Sequence, residues 1–230
     1  MNAQWIQIRH AGLAFEGYLS LPPAGHGPGL LLFQEIFGVN EHIRAVADQY
    51  ALDGFVVLAP DVFWRDAPRV ELGYVGADWD RAVGLMKAAD PGALAADTAA
   101  TLAALRARPE VIGKVGALGY CMGGRLAYLA AAAGGLDAAV AYYGGGIQNQ
   151  LDRAATITCP MQFHYGALDK NIPAEAVESV RKAMAGKNAE IYVYPGADHG
   201  FNCWARAMYH APSAALAHAR SLQFFAEKLM

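Results

Sequence analysis

Hydrophobic and polar residues form two kinds of pattern along the chain, and the first kind predicts β-strands. Residues 5–8 and 15–21 alternate with period two and are separated by His10-Ala11-Gly12, a pattern typical of a half-exposed antiparallel hairpin. Residues 29–34 and 54–59 are continuous apolar runs, as in parallel strands that are buried on both faces. The pattern therefore predicts a sheet that begins at an edge hairpin and continues with core strands.

The second kind of pattern, apolar residues at helical spacing, predicts helices between the strands. Residues 41–52 place apolar side chains at helical spacing, with Asn40 as a candidate N-cap and Gly54 just past the end. The alternation continues with strands predicted at 115–118, 138–143, 161–165 and 191–194, and with helices predicted at 79–88, 93–107, 121–133, 174–184 and 214–228. Strands that alternate with helices predict an α/β fold, with a mostly parallel sheet of about seven to eight strands and helices on both faces.

Composition favours a single domain over residues 1–230. The chain has 230 residues, of which 55% are hydrophobic and 17% are charged, and this suffices for one substantial core. The 18 Lys and Arg residues against 21 Asp and Glu residues give a net charge of −3, without the basic excess that nucleic-acid binding needs. The longest charge-free stretch, residues 17–34, is interrupted by prolines and glycines, so no membrane span is expected.

The N-terminus and the cysteines indicate the compartment and the role of the thiols. The first seven residues alternate apolar and polar positions, where a signal peptide would show a basic start and an apolar run, so we expect a cytoplasmic protein. Cys121, Cys159 and Cys203 lack CxxC and zinc-ligand spacing, which argues against a disulfide framework and a structural metal site. A functional cysteine is therefore expected to act through its thiol.

The sharpest local signal is a predicted strand, a tight turn and a predicted helix with the pattern G-x-C-x-G. Cys121 lies at the apex, and Gly119 and Gly123 avoid collisions with the adjacent strand and helix. The helix N-terminus favours a thiolate, and the backbone N–H of Met122 can donate to an oxyanion. Two alternatives stay open: a small buried cysteine, and a dinucleotide-binding turn with Asp137 downstream, although G-x-G-x-x-G spacing is absent.

A nucleophilic cysteine needs a base and an acid, which follow it along the chain in the order acid, histidine on an α/β-hydrolase sheet. Asp169 follows the predicted strand 161–165, and His199 follows the predicted strand 191–194 in a glycine-flanked loop. Asp198 is an alternative acid. Because adjacent residues on an extended loop generally point apart, we favour Asp169.

Glu35 is a further candidate, at the end of the first buried strand. A carboxylate at this position lies on the rim where the other three side chains gather, and it is expected to be partly desolvated. The same loop supplies a second oxyanion donor, for which we favour the backbone N–H of Ile36. The alternative for Glu35 is a salt bridge with a nearby arginine such as Arg44.

With these residues assembled, the sequence resembles the dienelactone hydrolases, the carboxymethylenebutenolidase family of α/β-hydrolases, over essentially its whole length. Six motifs in order carry the resemblance: residues 34–40, 60–61, 116–124, 142–144, 169–173 and 196–201. The family implies the α/β-hydrolase fold and hydrolysis of a lactone ring to maleylacetate during the breakdown of chlorinated aromatics. It implies no metal and no organic cofactor.

The resemblance also implies roles for single residues. Cys121 matches the family's nucleophile, His199 its base and Asp169 the acid that orients the base. Glu35 matches a carboxylate that contacts the cysteine in the resting enzyme.

The sequence departs from the best-known members at the substrate carboxylate site. Two arginines of that subgroup fall on Trp79 and Cys203, while Arg81 and Arg206 lie close by and could substitute. Candidate residues of a more apolar pocket are Phe37, Trp64, Trp79, Tyr143 and Phe201. A core role is the alternative for these aromatic side chains.

The leading hypothesis is an acyl hydrolase that acts on a small-molecule lactone or activated ester through a Cys121 thioester. A broader carboxylesterase or lactonase with a less acidic substrate is the alternative within the family. A noncatalytic binder on a hydrolase scaffold and a redox sensor that uses Cys121 are alternatives of other classes. The sequence leaves the oligomeric state open between monomer and dimer.

Overall fold

A computed structural model describes residues 2–230 of the chain. The contacts divide the chain into two compact units, Met1–Val115 and Gly116–Met230. The expectation of one domain over residues 1–230 stays a prediction. No helix of residues 2–230 is both long enough and apolar enough to cross a membrane.

The first unit begins with the hairpin that the sequence predicts. Its strands and helices are β1 (Asn2–His10), β2 (Leu13–Leu21), β3 (Gly27–Phe33), α1 (Glu41–Leu52), β4 (Val56–Pro60), α2 (Gly76–Ala88) and α3 (Pro91–Arg106). The strands lie in the order β1-β2-β4-β3, in which β1 and β2 are antiparallel, β2 and β4 are antiparallel, and β3 and β4 are parallel. The edge hairpin and the first βαβ unit are therefore confirmed.

Strand β5 (Val111–Tyr120) begins in the first unit and continues into the second. The remaining elements are α4 (Met122–Ala133), β6 (Ala138–Tyr142), β7 (Met161–Gly166), α5 (Ala174–Ala183), β8 (Ala189–Tyr194) and α6 (Ala211–Leu229). The order β5-β6-β7-β8 is parallel throughout. Two short 3₁₀ helices, Ile147–Asn149 and Leu151–Thr156, lie between β6 and β7 and were not predicted.

Capping residues fix where the helices begin. The side-chain oxygen of Asn40 accepts a hydrogen bond from the Ile43 backbone N–H at 3.2 Å, so the predicted N-cap of α1 is present. Helix α3 begins two residues earlier than predicted because Asp90 caps it, with Oδ1 2.7 Å from the Ala93 backbone nitrogen, and Pro91 fits the first turn.

The parallel strands of the second unit position the chemistry. The carboxyl ends of neighbouring parallel strands meet at one edge of a sheet, and ligands bind there in open α/β sheets. Cys121 follows β5 directly, Asp169 lies three residues after β7, and His199 lies five residues after β8. The buried strands β6 and β7 lie between the outer two and hold this edge in place.

Candidate active site

Cys121 occupies a strained turn between β5 and α4. Its backbone φ of 55° lies in the left-handed region, which disfavours side chains other than glycine, and its backbone N–H donates to the Tyr142 carbonyl at 3.0 Å. A Cβ atom on Gly119 would overlap the Gly123 carbonyl group, and one on Gly124 would lie 2.6 Å from the Tyr142 oxygen. Only glycine lets the strand and the helix approach so closely at these two positions, and Gly119 is the first glycine of the G-x-C-x-G pattern.

The thiol of Cys121 lies at the N-terminus of α4, where the backbone dipoles favour negative charge. Cys121 is the N-cap residue of this 12-residue helix, and its side chain makes no capping hydrogen bond. Met122 is the first helical residue, so its backbone N–H has no partner within the helix. The exposed backbone dipoles stabilise negative charge on the sulfur and on an oxygen bound beside it.

His199 connects Cys121 to Asp169. Its Nε2 lies 3.1 Å from the Cys121 sulfur, and its Nδ1 lies 2.7 Å from Asp169 Oδ2. The Asp169 side chain is wholly buried, and its second oxygen accepts hydrogen bonds from the backbone N–H groups of Asn171 at 2.8 Å and Ile172 at 3.2 Å. These bonds fix the carboxylate, which in turn fixes the tautomer and the orientation of the imidazole.

Asp198, the alternative acid, does not contact the imidazole in this way. Its Oδ1 accepts from the backbone N–H of His199 at 2.6 Å, while Asp169 contacts the ring nitrogen. The ring of Tyr143 meets the His199 ring edge-on, with centroids 5.2 Å apart. The imidazole is thus held by one carboxylate and one aromatic neighbour.

The hydrogen-bond partners of His199 determine the charge of its ring. Burial lowers the pKa of the imidazole, but hydrogen bonds and charge interactions with Asp169 and Cys121 outweigh this and raise the pKa to about 10. The ring is therefore an imidazolium at neutral pH, with a proton on each nitrogen. One proton faces Asp169 and the other faces Cys121.

The loop that carries His199 is held by the segment that follows it. A Cβ atom on Gly200 would lie 2.5 Å from Arg206 Nη1, so the guanidinium packs directly against the loop. The ring of His210 packs in the same way on Gly196, where a Cβ atom would lie 2.8 Å from its Cε1. Gly196 and Gly200 are local signals of this packing in the sequence.

The substrate candidates of the second unit are buried. Tyr143 and Phe201 have no exposed surface, and their ring centroids lie 5.4 Å apart. Arg206 is 8% exposed. Tyr143 packs on the His199 ring, Phe201 packs on Tyr143, and the guanidinium of Arg206 lies beside the loop that carries His199.

The candidates of the first unit lie on the loop after β3 and on α2. Glu35 is 2% exposed, and Ile36 is buried beside it in the sequence. Phe37 is also buried, with its ring centroid 5.7 Å from that of Trp79, which is 40% exposed. Arg81 lies on the exposed side of α2.

Arg44, the proposed ion-pair partner for Glu35, pairs with Glu71 at 2.6 Å. Cys121, Cys159 and Cys203 are all free thiols. Across residues 2–230, no cluster of three or more His, Cys, Asp or Glu side chains has the arrangement of a metal site.

Comparisons with known proteins point to one family. A sequence model of the dienelactone hydrolase family matches residues 15–229. The chain is 35% identical over 213 residues to the carboxymethylenebutenolidase of Pseudomonas sp. strain P51, covering 92% of this chain and 90% of that protein. It is 34% identical over 229 residues to the carboxymethylenebutenolidase of Pseudomonas putida, covering 98% and 97%.

A solved structure extends this likeness to three dimensions. A crystal structure from Klebsiella pneumoniae subsp. pneumoniae, provisionally named a dienelactone hydrolase, matches with a TM-score of 0.87 and 33% identity, covering 98% of both chains. The predicted α/β-hydrolase fold, with a mostly parallel sheet, is thereby confirmed.

Proposed function

Because the chain belongs to the dienelactone hydrolase family, and is therefore a hydrolase of carboxylic ester or lactone bonds, we propose that it works through Cys121, His199 and Asp169 by way of a thioester. One observation carries this proposal. The His199 ring spans the gap between the other two side chains, with its nitrogens 3.1 Å from the sulfur and 2.7 Å from the carboxylate. An acyl hydrolase needs this order of nucleophile, base and acid.

In the first step the Cys121 thiolate attacks the carbonyl carbon of the substrate and forms a C–S bond. The carbonyl electrons move onto oxygen, and the tetrahedral intermediate then expels the alkoxide of the ester or lactone. The imidazolium of His199 gives its Nε2 proton to this leaving oxygen. The acyl group is left on the sulfur as a thioester, and His199 is neutral.

Two backbone N–H groups are proposed to hold the oxyanion. Met122 presents an N–H at the first position of α4, where the helix dipole also stabilises negative charge. We assign the second donor to Ile36, which lies on the loop after β3. One oxyanion donor typically contributes about 3–4 kcal/mol to transition-state stability.

In the second step His199 takes a proton from water, and the hydroxide attacks the thioester carbonyl. The C–S bond breaks and the thiolate and imidazolium are restored, while the product leaves as a carboxylic acid that releases its proton to solvent. Asp169 takes no part in these proton transfers: its two oxygens accept hydrogen bonds from backbone N–H groups and from the ring. Its role is to stabilise the imidazolium and keep the ring in one orientation.

Glu35 is proposed to restrain the thiol in the resting enzyme. Its carboxylate is buried and lies next to Ile36, on the loop assigned to the oxyanion. A buried carboxylate competes with the sulfur for protons and for hydrogen-bond donors. This role predicts that the reactivity of Cys121 depends on Glu35.

The thiol nucleophile favours an activated substrate. Thiolate is itself a good leaving group, so the tetrahedral intermediate advances only if the alkoxide leaves equally well, as an enolate does. We therefore propose an enol lactone or an activated ester, such as the dienelactone of the named relatives. Arg206, beside the His199 loop, is the proposed partner for a substrate carboxylate, with the exposed Arg81 as the second candidate.

A less acidic substrate is the second candidate function, and two positions favour it. The resemblance to the family implies that Trp79 and Cys203 stand where the best-known members carry arginines. Cys203 is fully buried, and the indole of Trp79 packs near Phe37, so neither side chain replaces a guanidinium. A broader carboxylesterase or lactonase with an uncharged substrate fits this substitution.

Ultraviolet absorbance of cis- and trans-dienelactone tests the two candidates. We expect purified protein to consume dienelactone and p-nitrophenyl acetate, and Cys121→Ala to consume neither. Cleavage of p-nitrophenyl acetate alone, lost in Cys121→Ala, would favour the uncharged substrate. A cytoplasmic location and a monomer or dimer remain our expectations for the protein.

A further inference from the structure

A buried polar cluster, which we call the His164 network, lies inside the second unit away from the thiol. Its members are His164, Gln162, Tyr142, Tyr194 and Ser221. The proposed reaction uses none of these side chains. Buried polar groups are costly unless all are hydrogen-bonded, so a network of this size needs an explanation.

The hydrogen bonds of His164 have a fixed direction. Gln162 Nε2 donates to Glu190 at 2.8 Å, which leaves its Oε1 as an acceptor 2.7 Å from His164 Nε2. His164 is wholly buried, and burial holds the pKa of its imidazole well below the ordinary value, so the ring is neutral. The single ring proton therefore sits on Nε2, and Nδ1 accepts from the Tyr194 hydroxyl at 2.8 Å.

Further bonds extend the network to both sides. Arg220 Nη1 donates to the Tyr194 hydroxyl at 3.2 Å, which directs the phenol proton toward His164. On the other side the hydroxyls of Tyr142 and Ser221 lie 2.8 Å apart, and the Tyr142 ring stacks on the imidazole with centroids 4.4 Å apart. His164, on β7, thus joins the ends of the two neighbouring strands β6 and β8.

Those strand ends lead directly to the residues around His199. Tyr142 is the last residue of β6, and the next residue, Tyr143, places its ring edge-on to His199. Tyr143 has a φ of 35°, in the left-handed region, and its backbone N–H donates to the carbonyl of His164 at 2.7 Å. A strained residue keeps such a conformation only where its surroundings determine it.

The other strand end leads to the catalytic loop itself. Tyr194 is the last residue of β8, and the loop that follows carries His199. The Tyr194 ring lies 5.2 Å from that of Phe201, which lies 5.4 Å from that of Tyr143. The rings of Tyr194, Phe201 and Tyr143 therefore form a chain of contacts that ends on the His199 ring. The His164 network holds this chain at Tyr194 and, through Tyr142, at the residue before Tyr143.

We propose that His164 is a positioning residue of the active site: its hydrogen bonds and stacking fix the ends of β6 and β8, and so hold Tyr143 and the His199 loop at the geometry that catalysis needs. The proposal rests on the proposed function of His199. It assigns to a histidine outside the proposed triad an effect on the rate and on the titration of the catalytic histidine, beyond an effect on stability.

The test removes one oxygen from the network. Tyr194→Phe deletes the hydroxyl that bonds His164 and keeps the ring that packs on Phe201. Tyr128→Phe is the matched control, since its buried hydroxyl donates to the Gln150 carbonyl at 3.0 Å outside the network. Tyr194→Phe loses two hydrogen bonds, with His164 and with Arg220, and Tyr128→Phe loses one, so Tyr194→Phe is expected to lose more stability, which urea unfolding of both variants measures.

We expect kcat for p-nitrophenyl acetate to fall about 10- to 100-fold in Tyr194→Phe, with KM within about twofold of wild type, because a small displacement of a catalytic group costs rate more than binding. The pH at which the imidazolium of His199 titrates, followed by ¹⁵N NMR of its ring, should move down in Tyr194→Phe. Tyr128→Phe should match wild type in kcat and in this titration.

Equal kcat values and equal His199 titrations in the two variants would overturn the proposal. So would a loss of kcat in Tyr194→Phe with an unchanged titration, because that loss would not act through His199. The His199 titration needs no substrate, so it tests the positioning role even if the protein fails to hydrolyse esters. Absence of any wild-type turnover would instead reject the proposed function.

Discussion

Asp169 Oδ2 lies 2.7 Å from His199 Nδ1, although 30 residues separate the two in the chain. The carboxylate has no exposed side-chain surface, and its other oxygen is held by two backbone N–H groups. A buried, fully bonded carboxylate beside an imidazole is suited to stabilise the imidazolium and to fix its orientation.

Replacing this carboxylate by an amide is the first test. Asp169→Asn keeps the shape but can turn an NH₂ group toward Nδ1, which favours the wrong tautomer, so kcat should fall roughly 10²- to 10⁴-fold. Steady-state hydrolysis of p-nitrophenyl acetate measures this loss. Asp198→Asn is the matched control and should lose far less, because Asp198 contacts the backbone N–H of His199. Equal losses in both variants would argue against Asp169 as the orienting acid.

The charge of His199 gives a prediction about pH. The contacts with Asp169 and Cys121 raise the pKa of His199 to about 10, above the value near 6.5 of an unfolded chain. This group therefore contributes stability that is fully present below about pH 6.5 and is lost as the pH rises toward 10. ¹⁵N NMR of the ring should show an imidazolium at pH 8. A ring that is already neutral at pH 8 would contradict the imidazolium–thiolate pair.

The turn at Cys121 depends on Gly119. In Gly119→Ala the new Cβ would overlap the Gly123 carbonyl group, and because backbone on both sides resists movement we expect a loss of about 1–3 kcal/mol or more in the free energy of unfolding. Gly84→Ala is the control, since open space surrounds Gly84 within α2 and alanine favours helix by about 0.5–1 kcal/mol. Urea unfolding of both variants gives the comparison. A Gly119→Ala protein as stable as wild type would show that the turn tolerates a side chain.

The role of Glu35 is tested through the reactivity of the thiol. If this carboxylate restrains Cys121, Glu35→Ala should accelerate alkylation of Cys121 by iodoacetamide, which mass spectrometry of the labelled peptide follows. Glu41→Ala, on the exposed first turn of α1, serves as the control and should leave the rate unchanged. Identical rates in wild type and Glu35→Ala would reject the restraining role.

The strands and the order of the candidate triad follow from local sequence. Cys121 and His199 lie in glycine-flanked turns after apolar runs. Such turns can be recognised in the sequence because only glycine fits at their close contacts. In helix α3, Asp90 followed by Pro91 is a capping pattern that hydrophobic periodicity alone does not show. Because of this cap, the helix begins two residues before its predicted start.

Other features have no local mark in the sequence. The bonds of His164 to Tyr194 and Ser221 join residues 30 and 57 positions apart, so no local pattern shows them. His164 itself reads as one polar residue in a strand. The packing of Arg206 on Gly200 is equally hidden, because it depends on how the chain returns after β8.

The central claim is that Cys121 carries the acyl group. Intact and peptide mass spectrometry after a short pulse of p-nitrophenyl acetate, quenched in acid, tests it most directly. The account predicts one acetyl group, located on Cys121, that decays during a chase and is absent in Cys121→Ala. Hydrolysis that continues at the wild-type rate in Cys121→Ala, or an acetyl group on another residue that turns over at the catalytic rate, would contradict it.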